Sequence, residues 1–435
     1  MNEIPPALAH AFRSRSGYQL GRRRFLGGSM LGGAAFATAG LAPRSAAAQS
    51  DRSNLPPNTP RWMTQQGDPI LSPAYGQPSQ FEKEVVRRPT DLTPTPLSSW
   101  SFTPLQDLHG IITPSGLFFE RHHGGVPAIP PDQHRLMIHG MVDRPLIFTM
   151  EDLVRVPAVS RIHFLECSGN TLTQWKKPTK ESVQSSHGLL SCGEWTGVPL
   201  STLLEAVGVQ PSAKWILAEG ADAAAMTRSI PIEKAWHDAL IVYGQNGEAL
   251  RPEQGYPVRL LLPGFEGNMQ IKWLRRLELG DKPWYTREET SKYTDLMPDG
   301  RARAFSFVME PKSVITYPSS SHAMRGPGFY EVSGVAWSGY GRVARVDVSM
   351  DGGDNWQPAQ LQEPILPKAL TRFRLGWQWN GGSALLQSRV MDESGYVQPT
   401  HDQLVRARGT DSVYHYNAIY TWQIAASGEI VNVHV

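Results

Sequence analysis

The sequence predicts an α+β fold: a mixed α/β domain followed by an immunoglobulin-like β-sandwich. Its 35 prolines, 40 glycines and 13 tryptophans favour loop-rich β structure over a helical bundle. Residues 200–207 (LSTLLEAV) form one of the few segments with helical periodicity. Residues 343–350 read as a strand, and the Asp-Gly-Gly turn that follows is typical of sandwich hairpins.

Composition and length bound the organisation of the chain. With 435 residues, of which 40% are hydrophobic and 19% charged, it has room for roughly two or three globular domains. A net charge of +2 gives no reason to expect a nucleic-acid partner. We predict four regions: a targeting segment at 1–48, an irregular proline-rich extension at 49–100, the mixed domain at 101–305 and the sandwich at 306–435.

The N-terminus has the features of an export signal. The sequence RRRFLGG, which begins at Arg22, contains an Arg-Arg-x-Phe-Leu pattern, and a Gly/Ala-rich stretch follows at 29–42. Alanines at 46–48 offer a cleavage site, and the apolar stretch is too short for a membrane anchor. This pattern resembles a twin-arginine signal, which exports folded proteins. We therefore expect a periplasmic protein with no membrane anchor and with a cofactor inserted before export.

The two cysteines, Cys167 and Cys192, leave two interpretations open. In an oxidising periplasm they could form a disulfide. Alternatively, Cys167 could be a thiolate ligand of a metal whose other ligands come from a cofactor. Residues 161–166 read as a strand and 168–170 as a turn. A sulfur at the end of a strand, beside the N–H groups of a turn, is held rigidly and can be stabilised as a thiolate.

Two further segments place cationic side chains beside glycine turns. In LFFERHHGGVP, the residues Arg121, His122 and His123 precede a Gly-Gly pair. In GYPVRLLLPGFEGNMQIKW, Arg259 lies in an apolar strand-like run and Lys272 follows a glycine-containing loop. Guanidinium and ammonium groups fixed beside such turns suit an anionic, phosphate-bearing ligand.

Taken in order, these motifs resemble the molybdenum domain of the sulfite oxidase family. The matching segments are FFER at 118–121, CSGN at 167–170, GYPVR at 255–259 and KWL at 272–274. The resemblance begins near Ser101 and continues through AWSG at 336–339 to Trp422. Four motifs in a fixed order are specific evidence, whereas each alone is weak.

The resemblance implies a role for each matching residue. Cys167 would be the single protein ligand of molybdenum, with molybdopterin, one per chain, supplying the other sulfur ligands, so that Cys192 stays unpaired. Arg121 would hold an anionic substrate beside the metal, and the hydroxyl of Tyr293 would lie near it. Cofactor contacts are implied for His122, His123, Ser168, Asp222, Arg259, Gln270, Ile271 and Lys272, with Gln270 and Ile271 acting through their backbone.

Simpler interpretations of these residues stay open at the level of sequence. Arg121 could pair with a neighbouring carboxylate, either histidine could be a structural residue, and Tyr293 could be an exposed loop tyrosine.

Three positions depart from the family pattern. Leu172 and His415 stand where sulfite oxidases carry arginine, and Gln254 replaces a histidine. Each missing cation removes a charge-assisted contact of about 1.5–3 kcal/mol to a small dianion, so free sulfite is a weaker candidate substrate. These departures, with TLTQW at 171–175, resemble the molybdenum subunits of sulfane dehydrogenases. Those enzymes oxidise sulfane sulfur held as a persulfide on a carrier protein.

Electrons from this oxidation need an acceptor. The chain has no Cys-x-x-Cys-His haem motif, and two cysteines are too few for a four-cysteine iron–sulfur cluster. We therefore expect no haem or iron–sulfur cluster in this chain, an external c-type cytochrome subunit, a sulfur-carrier protein as substrate and a homodimer formed through the sandwich. The alternatives are a periplasmic dehydrogenase of free sulfite, a molybdenum sulfoxide reductase and a non-catalytic, disulfide-bonded binding protein.

Overall fold

The computed structural model describes residues 58–67, 69–70, 73–90, 95–176, 178 and 182–435. The predicted export signal lies outside these residues. The chain divides into two compact units, Met1–Lys83 and Glu84–Val435. The described part of the first unit contains two short 3-10 turns, Arg61–Thr64 and Gln80–Glu82. Among the described residues, no helix has the length and hydrophobicity needed to cross a membrane.

All labelled elements belong to the second unit. The strands of its mixed domain are β1 Arg88–Pro89, β2 Trp100–Phe102, β3 Glu120–Arg121, β4 Leu136–Gly140, β5 Leu146–Phe148, β6 Val159–Glu166, β7 Leu190–Pro199, β8 Trp215–Gly220, β9 Thr227–Pro231, β10 Leu240–Gln245, β11 Glu248–Ala249, β12 Arg259–Leu261, β13 Leu274–Gly280, β14 Asp295–Leu296 and β15 Ala302–Arg303. Those of the sandwich are β16 Lys312–Tyr317, β17 Gly328–Trp337, β18 Val343–Ser349, β19 Gln357–Pro358, β20 Gln360–Gln362, β21 Thr371–Trp379, β22 Ala384–Asp392, β23 Thr421–Ile424 and β24 Ile430–Val433. The helices are α1 Met150–Arg155, α2 Val183–His187, α3 Leu200–Val207, α4 Ile232–His237, α5 Arg287–Ser291 and α6 His401–Arg408.

Two five-stranded sheets make up most of the mixed domain, which also contains a three-stranded sheet of order β1-β2-β3 and the pair β14-β15. One has the order β11-β10-β7-β6 with β12 beside β10, and the other has the order β5-β4-β13-β8-β9. Both sheets contribute to one hydrophobic core, in which Val198 and Ile241 of the first meet Ile138 and Leu277 of the second. Helix α3 closes this core through its buried i, i+3, i+4, i+7 stripe, which begins at Leu200. The predicted helix is confirmed.

The C-terminal strands form the predicted sandwich. A sheet of order β16-β17-β21-β20 and a sheet of order β19-β18-β22-β23-β24 enclose a core that includes Trp337, Phe373 and Trp422. The same core extends into the mixed domain, because Phe164 of β6 and Cys192 of β7 belong to it. The α+β class with a C-terminal sandwich is confirmed, and a continuous apolar core joins the two domains.

Candidate active site

Cys167 is the first residue after β6, which pairs with β7 along its whole length. The Cys167 N–H donates to the Leu189 carbonyl at 3.0 Å, and the Asn170 N–H donates to the Cys167 carbonyl at 2.9 Å. A 3-10 turn beginning at Gly267 lies against this backbone. A Cβ atom at Gly267 would approach the Glu166 carbonyl oxygen to 2.8 Å, so this position requires glycine. The predicted strand and turn are confirmed, and together they fix the backbone of Cys167.

Both cysteines are free thiols, so the disulfide interpretation is wrong. Cys192 is wholly buried, and burial raises the pKa of its thiol to about 12. Burial also raises the pKa of the Cys167 thiol, against the Gly169 N–H and the charge of Arg121, which lower it. Within the described residues, no group of three or more His, Cys, Asp and Glu side chains could hold a metal.

Cys167 lines a cleft with about 560 Å³ of empty space, a volume that includes the open solvent at its mouth. Most of the predicted site residues line it, namely Arg121, His122, His123, Cys167, Asp222, Gln270, Ile271, Lys272 and Tyr293. Arg259 lines an adjoining cavity, which shares Arg121, Gln270 and Lys272 with the cleft. Ser168 lines neither space, because its hydroxyl accepts a hydrogen bond from Asn268 at 3.1 Å and its carbonyl accepts one from the His415 N–H.

Arg121 is held by backbone and aromatic contacts. It lies on β3, opposite Trp100 of β2, and its guanidinium carbon is 5.4 Å from the centre of a Trp100 ring. The guanidinium donates to the carbonyls of His122 and Ser99. Among the described residues it forms no salt bridge, and the neighbouring Glu120 pairs with Arg87 instead. The alternative of a carboxylate-paired Arg121 is therefore wrong, and its positive charge is available to an anion in the cleft.

His122 and Lys272 form a hydrogen-bonded chain in one wall. The His122 Nε2 donates to the Glu120 carboxylate at 2.6 Å, and its Nδ1 accepts from the Lys272 ammonium at 2.9 Å. The ammonium also donates to the carbonyls of Arg121 and Glu253, each at 3.0 Å. Burial lowers the pKa of both His122 and Lys272. His122 is thus a bonded structural histidine that also faces the cleft.

Arg259 is the most telling residue of the site. It is only 3% exposed, and within the described residues no carboxylate pairs with it. Its terminal nitrogens donate to the carbonyls of Gln254 at 2.9 Å and Gln270 at 3.2 Å, whereas its Nε has no partner. Burial lowers the pKa of this arginine to about 9. A buried, unpaired cation is costly, and an anionic ligand in the adjoining cavity would offset that cost.

Tyr293 lies inside a cluster of polar and aromatic groups. Its hydroxyl is 3.3 Å from Nε2 of His123, its ring is 5.3 Å from the Tyr414 ring, and the Arg228 guanidinium lies over it. Burial raises the pKa of Tyr293 above its ordinary value. Burial and the charge of Arg121 lower the pKa of His123 to about 4. Near neutral pH Tyr293 therefore keeps its proton and His123 is neutral. Because Tyr293 packs within this cluster, its interpretation as an exposed loop tyrosine is wrong.

The backbone N–H groups of Gln270 and Ile271 are already hydrogen-bonded within the protein and are not free to bind a cofactor. The Gln270 N–H donates to the Gly267 carbonyl and the Ile271 N–H to the Met269 carbonyl, each at 3.1 Å. The Gln270 side chain is bonded in both directions to the backbone of Leu262. Both residues line the cleft, but their N–H groups are engaged within the protein. Backbone N–H donation from them to a cofactor would require these bonds to break.

A buried ionic cluster behind Tyr293 was not found by sequence reasoning. Arg228 contacts Glu266 at 3.2 Å, and the Asn268 amide bridges Glu266 and the Ser168 hydroxyl. The only signal in the sequence was a charged residue in the short strand TRSIP, which is too weak to indicate a site. Through the Asn268 amide, the cluster supports the turn that follows Cys167.

The three departures from the family pattern bring no cation to the cleft. Leu172, which is 37% exposed, lines a separate cavity beside Trp100. His415 is bonded to Glu266 at 3.1 Å. Gln254 donates to the Phe119 carbonyl and lies against Arg259.

Comparison with known proteins now decides the family. The model of the oxidoreductase molybdopterin binding domain matches residues 123–287, and that of the Mo-co oxidoreductase dimerisation domain matches residues 303–422. The crystal structure of the sulfane dehydrogenase SoxCD from Paracoccus pantotrophus is 50% identical, with a TM-score of 0.85, and the match covers 87% of this chain and 98% of that chain. The chain belongs to the sulfite oxidase family of molybdenum-cofactor oxidoreductases.

More distant relatives agree with the sulfite oxidase family assignment. The mitochondrial sulfite oxidase of Rattus norvegicus is 31% identical over 314 residues, which are 66% of this chain and 57% of that protein. An NADH nitrate reductase of Ulva prolifera is 30% identical over 355 residues, which are 73% of this chain and 39% of that protein. The chain thus spans about two fifths to three fifths of the length of these curated relatives.

The site fits the cofactor of the sulfite oxidase family. The Cys167 thiol opens to the cleft and has no other cysteine to bond. The unpaired Arg259, with Lys272 beside it, suits a phosphate-bearing pterin. These residues would hold a molybdopterin, with Cys167 as the metal ligand.

Proposed function

We propose that this chain is the molybdenum subunit of a periplasmic sulfane dehydrogenase, which oxidises sulfane sulfur carried on a partner protein and passes the electrons to a c-type cytochrome subunit. The observation that carries the proposal is the small number of positively charged side chains that the cleft offers to a substrate, beyond those assigned to the cofactor. Arg121 lines the cleft without a carboxylate partner among the described residues, whereas Leu172 and His415 supply no charge to it.

The protein's own groups divide the work of such a reaction. When bound, the molybdenum group would accept two electrons for each water-derived oxygen atom that is added to the sulfur. Cys167 holds the metal, and Arg259 with Lys272 holds the anionic end of the pterin. Arg121 orients the negatively charged end of the substrate in the cleft. Tyr293 retains its proton at neutral pH, because burial raises its pKa, and can therefore donate a hydrogen bond to a developing negative charge.

The number of cations in the cleft bears on which kind of substrate the protein can bind. A small dianion such as free sulfite gains binding energy mainly from charge-assisted contacts, each of about 1.5–3 kcal/mol. A sulfane attached to a carrier protein can draw its binding energy from the carrier surface, and it needs fewer cations at the reacting sulfur. The cleft with Arg121 and without arginines at Leu172 and His415 suits the second kind of substrate.

Partners and location are part of the same proposal. The two-component name SoxCD of the similar sulfane dehydrogenase supports a second subunit, for which we propose the c-type cytochrome. The match to a dimerisation domain supports a homodimer formed through the sandwich. The Arg-Arg-x-Phe-Leu sequence that begins at Arg22 supports export of the folded protein to the periplasm.

A dehydrogenase of free sulfite is the second candidate, favoured by the 31% identity to a mitochondrial sulfite oxidase. A molybdenum sulfoxide reductase is disfavoured, because such enzymes usually lack the C-terminal sandwich that this chain has. The disulfide-bonded binding protein is contradicted by the two free cysteines.

Steady-state reduction of a c-type cytochrome separates the two dehydrogenases. The exported, molybdenum-loaded protein is assayed with free sulfite and, at the same sulfur concentration, with a carrier protein that bears a persulfide on its cysteine. We expect efficient turnover only with the carrier-bound sulfane. Efficient turnover of free sulfite at low concentration, with no preference for the carrier, would overturn the sulfane assignment and favour the sulfite dehydrogenase.

A further inference from the structure

The residue before Cys167 is a fully buried carboxylate that accepts three hydrogen bonds. Glu166 has no solvent exposure, and it accepts hydrogen bonds from the Lys312 ammonium at 2.9 Å, the Asn170 amide at 3.0 Å and the Trp337 indole N–H at 2.6 Å. Only Asn170 belongs to the turn that follows Cys167. The charge next to the candidate metal ligand is therefore neutralised mainly by residues far away in the sequence.

Those distant donors come from the sandwich domain. Lys312 is the first residue of β16, and Trp337 is the last residue of β17. The two residues lie opposite each other where these strands pair. Both side chains are almost wholly buried, and the Lys312 ammonium lies 5.9 Å from the centre of the Trp337 ring. One end of the sandwich thus reaches into the mixed domain directly behind Cys167.

Lys312 also forms hydrogen bonds to the turn that follows Cys167. Its ammonium donates to the Thr171 hydroxyl at 2.7 Å and lies 3.5 Å from the Asn170 carbonyl oxygen. Asn170, held by Glu166, accepts a hydrogen bond from the Leu189 N–H, and the Leu189 carbonyl accepts one from the Cys167 N–H. A closed set of hydrogen bonds therefore runs from the sandwich lysine to the backbone of Cys167.

A buried ion pair is not by itself a source of stability, because the cost of removing two charges from water rivals their attraction. Its geometric effect is different, since both carboxylate oxygens of Glu166 and the ammonium of Lys312 are held by several partners, and the groups cannot shift independently. We propose that Glu166 and Lys312 are positioning residues, through which the sandwich domain fixes the turn that carries Cys167 and so the direction of its sulfur in the cleft. The sandwich then completes the metal site as well as offering a dimerisation surface.

Two single variants and one double variant test this proposal in the molybdenum-loaded protein. Lys312→Met removes the ammonium, Glu166→Gln removes the carboxylate charge, and Glu166→Gln/Lys312→Gln gives a neutral pair that can still form hydrogen bonds. We measure amide hydrogen exchange of the 167–175 segment and the Mo(V) electron paramagnetic resonance spectrum, which reports the orientation of the thiolate. Each single variant should raise exchange in this segment by about tenfold or more and shift the g values, and the double variant should return both toward wild type.

Lys368→Met is the matched control. Lys368 of the sandwich also forms a salt bridge to the mixed domain, with Asp238, but Asp238 keeps its second partner Lys234. This variant should leave exchange in the 167–175 segment and the g values unchanged. Unchanged exchange and g values in both single variants, or equal changes in the Lys368→Met control, would overturn the proposal. If Lys312→Met fails to fold, the near-isosteric Glu166→Gln decides the result in the same way.

The proposal rests on Cys167 as the metal ligand but not on the identity of the substrate. Failure of the sulfane assay with altered exchange and g values would remove the proposed substrate and leave the positioning role intact. If the sulfane assay succeeds but Glu166→Gln leaves exchange and the g values unchanged, the proposed substrate stands and the positioning role is disproved.

Discussion

The Nε2 atom of His415 lies 3.1 Å from a carboxylate oxygen of Glu266. The backbone of His415 is left-handed, with φ of 58°, and its N–H donates to the Ser168 carbonyl at 2.8 Å. The side chain at the position of a family arginine therefore enters the buried cluster around Glu266 and does not line the cleft. This geometry gives the cleft fewer cations than the family pattern would supply.

Leu172→Arg should increase the affinity for free sulfite. Leu172 lines a cavity separate from the cleft, but its side chain would be 3.7 Å from a Cβ on Gly169, in the turn after Cys167, and it is partly exposed, so a longer arginine side chain has room to extend from that cavity toward the cleft. One added charge-assisted contact should lower the KM for sulfite by about tenfold or more, with little change in kcat. Steady-state kinetics at constant ionic strength measures this effect. Leu172→Gln, which is polar but neutral, is the control, and an equal decrease in its KM would contradict the charge argument.

Cys167→Ser should abolish turnover and greatly reduce the molybdenum content. A serine hydroxyl is a much poorer ligand than a thiolate for a soft metal. Metal analysis and cytochrome reduction, both made on protein from a host that produces molybdopterin, measure the two effects. Cys192→Ser is the control and should keep its metal if it folds. Normal turnover of Cys167→Ser would disprove the ligand role.

Arg259→Met should reduce cofactor retention without destabilising the cofactor-free protein. The guanidinium is buried without a carboxylate partner, so its removal relieves a desolvation cost while the methionine fills a similar volume. The pterin content should fall by about tenfold or more, since a charge-assisted phosphate contact is lost. Arg276→Met, which removes a partly exposed partner of Glu219, is the control and should retain the cofactor. A large loss of stability in cofactor-free Arg259→Met would show that the arginine is structural.

The stability of the protein should fall as the pH is lowered from 6.5 to about 4. Burial lowers the pKa of His163 from 6.5 to about 4 in the folded state, so the unfolded chain binds the proton first. The contribution is fully present above pH 6.5 and is lost as the pH falls through the folded pKa. It amounts to about 3 kcal/mol for this group. Urea unfolding of His163→Gln should show a flatter pH profile, whereas the exposed His109→Gln should follow the wild type.

Replacement of Arg22 and Arg23 by lysine should keep the folded protein in the cytoplasm. The twin-arginine pathway reads the guanidinium pair, which lysine does not reproduce. Fractionation with a molybdenum assay of each compartment measures the outcome. A Lys83→Arg variant is a charge-preserving control outside the signal. Unchanged periplasmic levels of the Arg22/Arg23 variant would contradict this export route.

Local signals in the sequence predicted the local elements well. The helix at Leu200–Val207 has the predicted bounds, because its apolar stripe and the following Gly208 are both local features. The strand that precedes Cys167 was predicted from six residues and extends by two more at its start. Arg121 and Lys272, which the family resemblance assigned to one cofactor site, line the same cleft.

Long-range polar contacts could not be predicted in the same way. Lys312 meets Glu166 across 146 positions of the chain, and nothing in either local sequence specifies the other. Arg228 and Asn268 likewise become partners only when β9 and the turn after Glu266 are brought together. The side chain of His415 illustrates the limit, since its position was predicted from the family pattern but its direction depends on a left-handed backbone.

The contrast between the two thiols has a practical consequence for preparations of the protein. Cys192 is wholly buried, whereas Cys167 is partly exposed and lines the cleft, where a bound metal would cover its sulfur. A thiol-reactive dye applied to the native protein should therefore label chains that have lost or never received the metal, and the same dye after denaturation should label two sites per chain. Because denaturation exposes two thiols per chain, twice the ratio of the native to the denatured signal gives the fraction of chains without metal, and this needs no turnover assay.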